Sequence, residues 1–213
     1  MTTTTAGHAV AEVQAVVSLL LRYPTAELVA ECGRLDASVA HLPHAQRDRL
    51  RGFLAHITAT PLDRLQQDYV ATFDLKRKCC LYLSYYLNGD TRLRGMALVS
   101  FQEVYRAAGL TVSSEELPDY LPMVLEFAAT VDPDMGEALL VQHRRGLAVL
   151  RLALAGLGSA YAPLIEAVEG TLPPPGDSDG ERVVALATHG PPTELVGLEP
   201  FGPPELTGWG VRS

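Results

Sequence analysis

The strongest constraint on the fold is a helical repeat of apolar residues that runs through most of the chain. Near the N-terminus apolar residues recur three and four positions apart, at Val10, Val13, Val16, Val17, Leu20 and Leu21. This spacing predicts an amphipathic first helix that ends near Tyr23–Pro24. Leu and Ala are abundant, and both favour helix. No stretch sustains the alternation of a strand, which disfavours parallel-sheet enzyme folds. We therefore expect an all-α protein, a single multi-helix bundle of about eight or more helices.

Turn and capping residues place further helices along the chain. A second helix is predicted from Thr25 to Ala40, and a third begins at Pro43. Thr60 and Pro61 resemble a hydroxyl cap followed by a first-turn proline, which predicts another helix start. That helix has apolar residues on one face, namely Leu62, Leu65, Tyr69 and Phe73.

The second half of the chain shows the same organisation. The apolar segment 79–87 predicts a buried helix, and Asn-Gly-Asp-Thr at 88–91 ends it. The next helix is predicted from about Arg92 to Ala108, with Gly109 at its C′ position. Asp119 is the expected cap of a helix over residues 120–130, and Asp132-Pro133 predicts one long helix over 132–157.

Residues 171–213 differ in composition from the rest. Pro and Gly supply 15 of these 43 positions, and six acids face two arginines. Such a segment buries too little apolar surface to order by itself. We therefore divide the chain into a helical domain, residues 1–170, and a flexible acidic tail, residues 171–213. Trp209 or Phe201 is the expected point at which the tail drapes on the domain.

Composition narrows the function classes. The formal net charge of −8 argues against nucleic-acid binding, which needs a basic footprint, and against direct binding to anionic membranes. Three cysteines, two of them adjacent, suggest no disulfide framework and fit a reducing compartment. The N-terminus lacks the features of a signal peptide, and no apolar run approaches the ~20 residues that span a bilayer. We expect a cytoplasmic protein.

The residues that chemistry requires are scarce. There is no glycine-rich phosphate loop and no zinc-type helix pair of histidines. His41 and His44 lie downstream of Cys32, but a metal site needs three or four convergent ligands. We predict no metal, no cofactor and no catalysis. One alternative is a small helical enzyme that uses Glu116 and Asp119 as an acid/base pair, although no third group completes such a site.

Charge is segregated along the chain. Six basic residues oppose three acids between residues 74 and 106, whereas residues 115–137 hold seven acids and no Lys or Arg. Two solvated helix faces explain this pattern, and so does a bipolar groove for a charged peptide. Between Glu116 and Pro122, two prolines bracket Asp119 and Tyr120. This segment reads as a well-built helix start, as a rigid corner that displays both side chains to a partner, or as both.

Three stretches together resemble a known family. They are YVATFDLKRKCCLYLSYYLNGDTRLRG at 69–95, ALVSFQEVYRAAGL at 97–110 and ELPDYLPMVLEFAA at 116–129, and SLLLRYP at 18–24 also fits. The chain is similar, in order and over essentially its whole length, to the respiratory nitrate reductase molybdenum cofactor assembly chaperones, the NarJ or delta-subunit type. It departs at Leu93, where many members carry arginine, and at Tyr120, where some carry histidine.

The resemblance implies a binding protein and not an enzyme. Such chaperones bind the cofactor-free catalytic (alpha) subunit of nitrate reductase, especially its N-terminal segment. They keep it competent for insertion of the molybdenum cofactor and delay its docking to the membrane subunit. Recognition of this kind lays an amphipathic segment in a groove between helices. The nearest alternative is a chaperone for another molybdoenzyme that reads a twin-arginine signal.

We expect the three stretches to converge on one partner-binding face. In this hypothesis Tyr69, Phe73 and Tyr120 line an apolar groove, Asp119 and Glu116 form its acidic edge, and Arg92 and Arg94 lie nearby. The complete set of expected partner-binding residues is Tyr69, Phe73, Asp74, Arg92, Arg94, Glu116, Pro118, Asp119 and Tyr120.

Overall fold

Helices make up nearly all of the regular structure in the computed structural model, which describes residues 2–112, 116–176 and 179–192. Within these ranges the chain forms eleven α-helices and no β-strand, which confirms the all-α prediction. The helices are α1 (Thr2–Leu20), α2 (Ala26–Ser38), α3 (His44–Ala59), α4 (Leu62–Tyr69), α5 (Leu83–Asn88), α6 (Arg92–Ala107), α7 (Leu121–Thr130), α8 (Pro133–Gln142), α9 (Arg144–Gly156), α10 (Ala162–Glu169) and α11 (Asp179–His189).

Helix α1 lies at the centre of the bundle. It packs extensively against α7 and also against α10, both distant in sequence. Its predicted apolar face is buried from Val13 onward, with Val17 and Leu20 almost fully enclosed. At its polar position Gln14, the side-chain amide donates to the Thr171 hydroxyl at 3.3 Å. The first helix therefore contacts the segment that follows α10.

Several predicted helix ends are confirmed, but the predicted cap at Thr60 is wrong. Thr25 accepts the Leu28 N–H at 3.2 Å and Asp132 accepts the Met135 N–H at 3.0 Å, so both cap their helices. Gly109 follows α6 with a φ of 79°, as a C′ glycine does. Thr60 does not cap α4: it ends α3, and Pro61 stands before α4 without any side-chain cap.

The predicted helix over 79–87 is only half correct. Its second half forms α5, but Cys80 and Tyr82 are extended. Tyr82 forms an isolated antiparallel bridge with Tyr120 instead. The backbone of this stretch takes its hydrogen bonds from a distant segment, and so the helix starts later than predicted.

The predicted long helix over 132–157 is two helices that meet at His143. This residue has φ −100° and ψ 11°, outside regular helix geometry. The break accompanies two close contacts. The buried His143 ring lies 5.0 Å from the Phe101 ring, and Gly146 approaches Tyr86 so closely that a Cβ would lie 2.9 Å from its Cβ. The change of direction thus lets α9 pack tightly on α5.

Helix α11 lies within the segment predicted to be a tail. It packs against α9, with Val183 and Leu186 partly buried on the core. Arg145 holds the Asp179 carboxylate at 3.3 Å. The high Pro, Gly and acid content concealed this short apolar repeat. The division at residue 170 and the flexibility of the tail stay predictions, and Phe201 and Trp209 lie outside the described residues.

In the ranges that the structure describes, none of the helices combines the length and the apolar character that a bilayer span requires.

A glycine at the contact between α7 and α8, compared with one on the surface of α3, tests how closely α7 and α8 pack. A Cβ on Gly136 would lie 2.3 Å from the Ala128 Cβ, whereas one on Gly52 in α3 would meet nothing within 4 Å. We expect Gly136→Ala to destabilise the protein by roughly 1–3 kcal/mol through overpacking. Gly52→Ala is the matched control and should stabilise α3 by about 0.5–1 kcal/mol. Urea unfolding measures both, and equal effects would contradict the close contact.

Candidate partner-binding site

A short backbone pairing brings two of the family-like stretches together. The Asp119 carbonyl accepts the Leu83 N–H at 3.0 Å, and the Leu81 carbonyl accepts the Leu121 N–H at 2.7 Å. Residues 81–84 and 119–121 therefore run antiparallel at the starts of α5 and α7. The stretches 69–95 and 116–129 converge at this point.

The Asp119 side chain is enclosed at this pairing. It is 0% exposed, and its Oδ2 accepts both the Ser84 N–H at 3.0 Å and the Ser84 hydroxyl at 2.5 Å. Its Oδ1 is buried without a hydrogen-bond partner among the described residues. Asp119 therefore caps α5. The prediction that it caps the helix over 120–130 is wrong, since Tyr120 precedes that helix without a side-chain cap. Nor does Asp119 lie at an exposed edge.

Pro118 is fixed by the third stretch. The Tyr105 hydroxyl on α6 donates to the Pro118 carbonyl at 2.8 Å, and both residues are buried. Burial raises the pKa of the Tyr105 hydroxyl above its usual range, so that it stays a donor. The stretch 97–110 thus braces the corner at residues 116–122.

Tyr69 and Phe73 belong to the core. Each is 6% exposed, and their rings lie 4.8 Å apart in a cluster with Tyr161. The Tyr69 hydroxyl donates to the Leu21 carbonyl at 3.1 Å. The prediction that these residues line an open groove is wrong, because other side chains cover their faces. Tyr69 instead packs beneath Tyr23 and Tyr120.

Three partly exposed tyrosines lie above this cluster, and we call Tyr23, Tyr82 and Tyr120 the tyrosine patch. The Tyr23 ring meets Tyr69 edge-on at 5.5 Å, and the Tyr120 hydroxyl lies 3.3 Å from the Tyr69 hydroxyl. The rings of Tyr82 and Tyr120 are 5.7 Å apart. Aromatic residues with one apolar face and one polar end are typical of binding surfaces.

Acidic groups surround the tyrosine patch. Glu116 accepts the Tyr82 hydroxyl at 3.0 Å, and Glu126 forms an ion pair with Arg22 at 2.6 Å. Burial, together with the charges of Glu116 and Asp74, raises the pKa of the Tyr120 hydroxyl. The surface is therefore apolar at its centre and mainly acidic around it.

Asp74 reaches the surface through an irregular turn. Residues Val70–Asp74 form a π-helical turn, in which the Leu75 N–H donates to the Val70 carbonyl at 3.1 Å. The turn leaves Phe73 in the core and Asp74 exposed. Such turns are rare and occur often at functional sites.

The two predicted arginines have different surroundings. The Arg94 guanidinium lies 5.9 Å from the ring centres of both Tyr82 and Tyr85 and forms an ion pair with Asp90 at 3.2 Å. It borders the tyrosine patch. Arg92 is exposed in the first turn of α6.

An apolar cleft of about 330 Å³ opens beside the patch, between the end of α6 and α7. We call it the α7 cleft, and it is lined by Tyr105, Leu110, Thr111, Val112, Met123, Glu126, Phe127, Thr130 and Val131. Glu126 belongs both to this cleft and to the rim of the patch. Sequence reasoning missed Tyr23, Tyr82 and Met123; the helical spacing of Tyr120, Met123 and Phe127 was the available signal.

Several charged side chains of the two segregated stretches form ion pairs or hydrogen bonds within the fold. Arg77 and Arg94 both pair with Asp90, and Lys76 donates to the Ala71 carbonyl. In the acidic stretch three carboxylates, those of Glu116, Asp119 and Asp132, accept internal hydrogen bonds. Glu115 lies outside the described residues. Glu116 and Glu126 remain partly exposed beside the patch, so the acidic character of this face is local.

The geometry does not favour the alternative of a Glu116 and Asp119 acid/base pair. Asp119 has no exposed surface and is bonded to Ser84, whereas Glu116 is bonded to Tyr82. A substrate in solvent would have no path to both carboxylates. Among the described residues, no group of three or more His, Cys, Asp and Glu side chains is placed to hold a metal ion.

Comparison with known proteins finds a family match. The family described as "Nitrate reductase delta subunit" matches residues 39–166. The nitrate reductase-like protein NarX of Mycobacterium tuberculosis (strain H37Rv) is 39% identical over 165 residues, which cover 77% of this chain and 24% of NarX. The chain thus spans about a quarter of the length of that relative.

Two further relatives carry chaperone names. The probable nitrate reductase molybdenum cofactor assembly chaperone NarJ of Bacillus subtilis is 31% identical over 70% of this chain and 82% of its own length. Nitrate reductase molybdenum cofactor assembly chaperone NarJ of Escherichia coli (strain K12) is 34% identical over 71% of this chain and 65% of its own length.

A solved structure shares the fold. The crystal structure of a putative redox enzyme maturation protein from Archaeoglobus fulgidus aligns with a TM-score of 0.55 at 22% identity. The alignment covers 75% of this chain and 91% of that protein.

The Asp119–Ser84 contact can be tested by a double-mutant cycle. Ser84→Ala removes one hydrogen bond to a buried carboxylate and should cost about 1.5–3 kcal/mol. Asp119→Ala also leaves the Ser84 N–H buried without an acceptor, so its cost should be larger. The two losses should be non-additive in urea unfolding, because the residues share one interaction. Additive losses would show that the contact does not stabilise the fold.

Proposed function

The chain belongs to the nitrate reductase delta subunit family, and we propose that it is a dedicated assembly chaperone for a nitrate reductase. It binds the cofactor-free catalytic (alpha) subunit, keeps it competent for molybdenum cofactor insertion and delays its docking to the membrane. It acts in the cytoplasm, where its three free cysteines stay reduced. It makes and breaks no bond and needs no metal or cofactor of its own.

The observation that supports this function is the tyrosine patch beside the α7 cleft. Together they form an apolar depression with a polar rim, and Glu126 joins them. An amphipathic segment of the catalytic subunit, from its N-terminus, would lay its apolar face along α7 with an anchor near Met123 and Phe127. This is recognition of a helix in a groove.

The acidic rim gives the site a charge preference. Asp74, Glu116 and Glu126 surround the patch, and they would attract basic residues of the bound segment. Exposed charges contribute modestly to affinity and more to the association rate. A partly polar site of moderate affinity suits a chaperone that must release its client.

The nine predicted site residues then have two roles. We assign direct contact with the client to Asp74, Arg92, Arg94, Glu116 and Tyr120. We assign support of the surface from below to Tyr69, Phe73, Pro118 and Asp119.

Co-purification tests the function as a whole. The tagged chain should capture the catalytic subunit of nitrate reductase from cells that cannot make the molybdenum cofactor, and should capture less of it from cells that can. Capture of a different molybdoenzyme, or of one only through a twin-arginine signal, would support the alternative client. Equal capture of the loaded and cofactor-free subunits would contradict an assembly role.

Two methionines give a matched test of the α7 cleft. Met123 lines the cleft, whereas Met135 is 42% exposed on α8 and does not. We expect Met123→Ala to weaken binding of a peptide from the N-terminus of the catalytic subunit by roughly tenfold, about 1.4 kcal/mol. Met135→Ala should leave the Kd unchanged. Isothermal titration calorimetry measures both, and equal Kd values for the two variants would remove the cleft from the site.

The effect of rim charge on peptide binding can be measured separately from any effect on folding. In Glu116→Gln the side-chain oxygen still accepts the Tyr82 hydroxyl, so the melting temperature should hardly change. The Kd for the same peptide should rise roughly two- to fivefold at low salt, and the difference should vanish at high salt because exposed charges are screened. Glu181→Gln on α11 makes the same charge change elsewhere. If it weakens binding equally, the effect comes from net charge and not from the rim.

A further inference from the structure

One face of α6 carries an apolar stripe that the described residues leave open. Leu93, Met96 and Val99 are 57%, 68% and 51% exposed. They recur every three residues, so they lie along one side of the helix. The buried residues of α6, Phe101 and Tyr105, lie toward the core. A contiguous apolar stripe of this kind marks an interaction surface more often than chance exposure does.

The stripe continues into a cavity of about 270 Å³. Leu93 and Met96 form one wall, and Leu139 and the His143 ring contribute to another. Leu87, at the end of α5, closes the near end. A bound segment would therefore find both an apolar ridge and a recess for a side chain.

The chain itself arrives at this surface. After α11, residues 190–192 pass against the turn that precedes α6, where a Cβ on Gly89 would collide with the Pro192 carbonyl oxygen. Leu87 also lines the neighbouring cavity that contains Pro192. The last described residue thus stands at the N-terminal end of the stripe, and residues 193–213 continue from there.

The composition of the following segment matches the stripe. Residues 193–201 read TELVGLEPF, with four large apolar residues and two acids. Helix α6 contains three arginines and one acid, and Arg92 and Arg106 are exposed. Its 16 residues extend about 24 Å. Nine residues of extended chain reach about 30 Å, which is enough to follow α6 to its end.

We propose that residues 193–201 of this same chain are the occupant of the α6 stripe. Leu195, Val196, Leu198 and Phe201 cover the apolar residues, and Glu194 and Glu199 lie toward the exposed arginines, Arg92 and Arg106. The proposal does not rest on the client-binding site on α7, because its occupant is a segment of this chain, and the two sites share only Arg92.

A single indole can report this contact in the full chain. Trp209 is the only tryptophan, so Trp209→Phe combined with Phe201→Trp places one indole at position 201. We expect its fluorescence to be partly protected from acrylamide. Adding Leu93→Asp and Met96→Asp should raise the quenching constant to that of the urea-unfolded chain. Both substituted positions on α6 are exposed, and far-UV circular dichroism checks that the fold is kept.

The control changes a separate exposed apolar surface. Leu152→Asp with Leu157→Asp alters residues that are 43% and 48% exposed near the end of α9. This pair should leave the indole protected. An indole that is fully quenched before any change on α6, or that is protected but insensitive to the α6 changes, overturns the proposal. Protection that grows with protein concentration also overturns it, since a second copy would then be the occupant.

Discussion

The antiparallel pairing of residues 81–84 with residues 119–121 is the interaction on which the candidate site depends. Two backbone hydrogen bonds and the Asp119–Ser84 contact satisfy polar groups that would otherwise be buried without partners, at a cost of about 1–3 kcal/mol each. The pairing sets the starts of α5 and α7 and places Tyr82 beside Tyr120. The exposed surface is therefore a consequence of an internal backbone contact.

Much of the fold was predictable from local signals. Helix α1 was found because its apolar repeat is long, and α6 because a glycine marks its end. The extended stretch around Tyr82 was not, because a short apolar run fits either helix or strand and its partner lies far along the chain. His143 carries no breaker signal, so the division of α8 from α9 depends on contacts with Phe101 and Tyr86 that only the folded state shows.

The candidate site was predictable in part. Aromatic and acidic residues in the family-like stretches predicted this region as the site, and Glu116, Tyr120 and Asp74 lie at its surface. Asp119 was misplaced because an aspartate before a helix resembles a cap for that helix, whereas its carboxylate serves a helix that begins 36 residues earlier. The tyrosines differ in exposure, since Tyr69 is buried and Tyr23 is exposed. Sequence spacing alone does not distinguish the two.

The central place of α1 has a consequence for synthesis on the ribosome. This helix leaves the ribosome before α7 and α10, yet these two helices cover its apolar face, and Gln14 bonds to Thr171. More than a hundred residues must therefore leave the ribosome before α1 finds its neighbours. During that interval its valines and leucines are exposed to whatever surrounds the nascent chain.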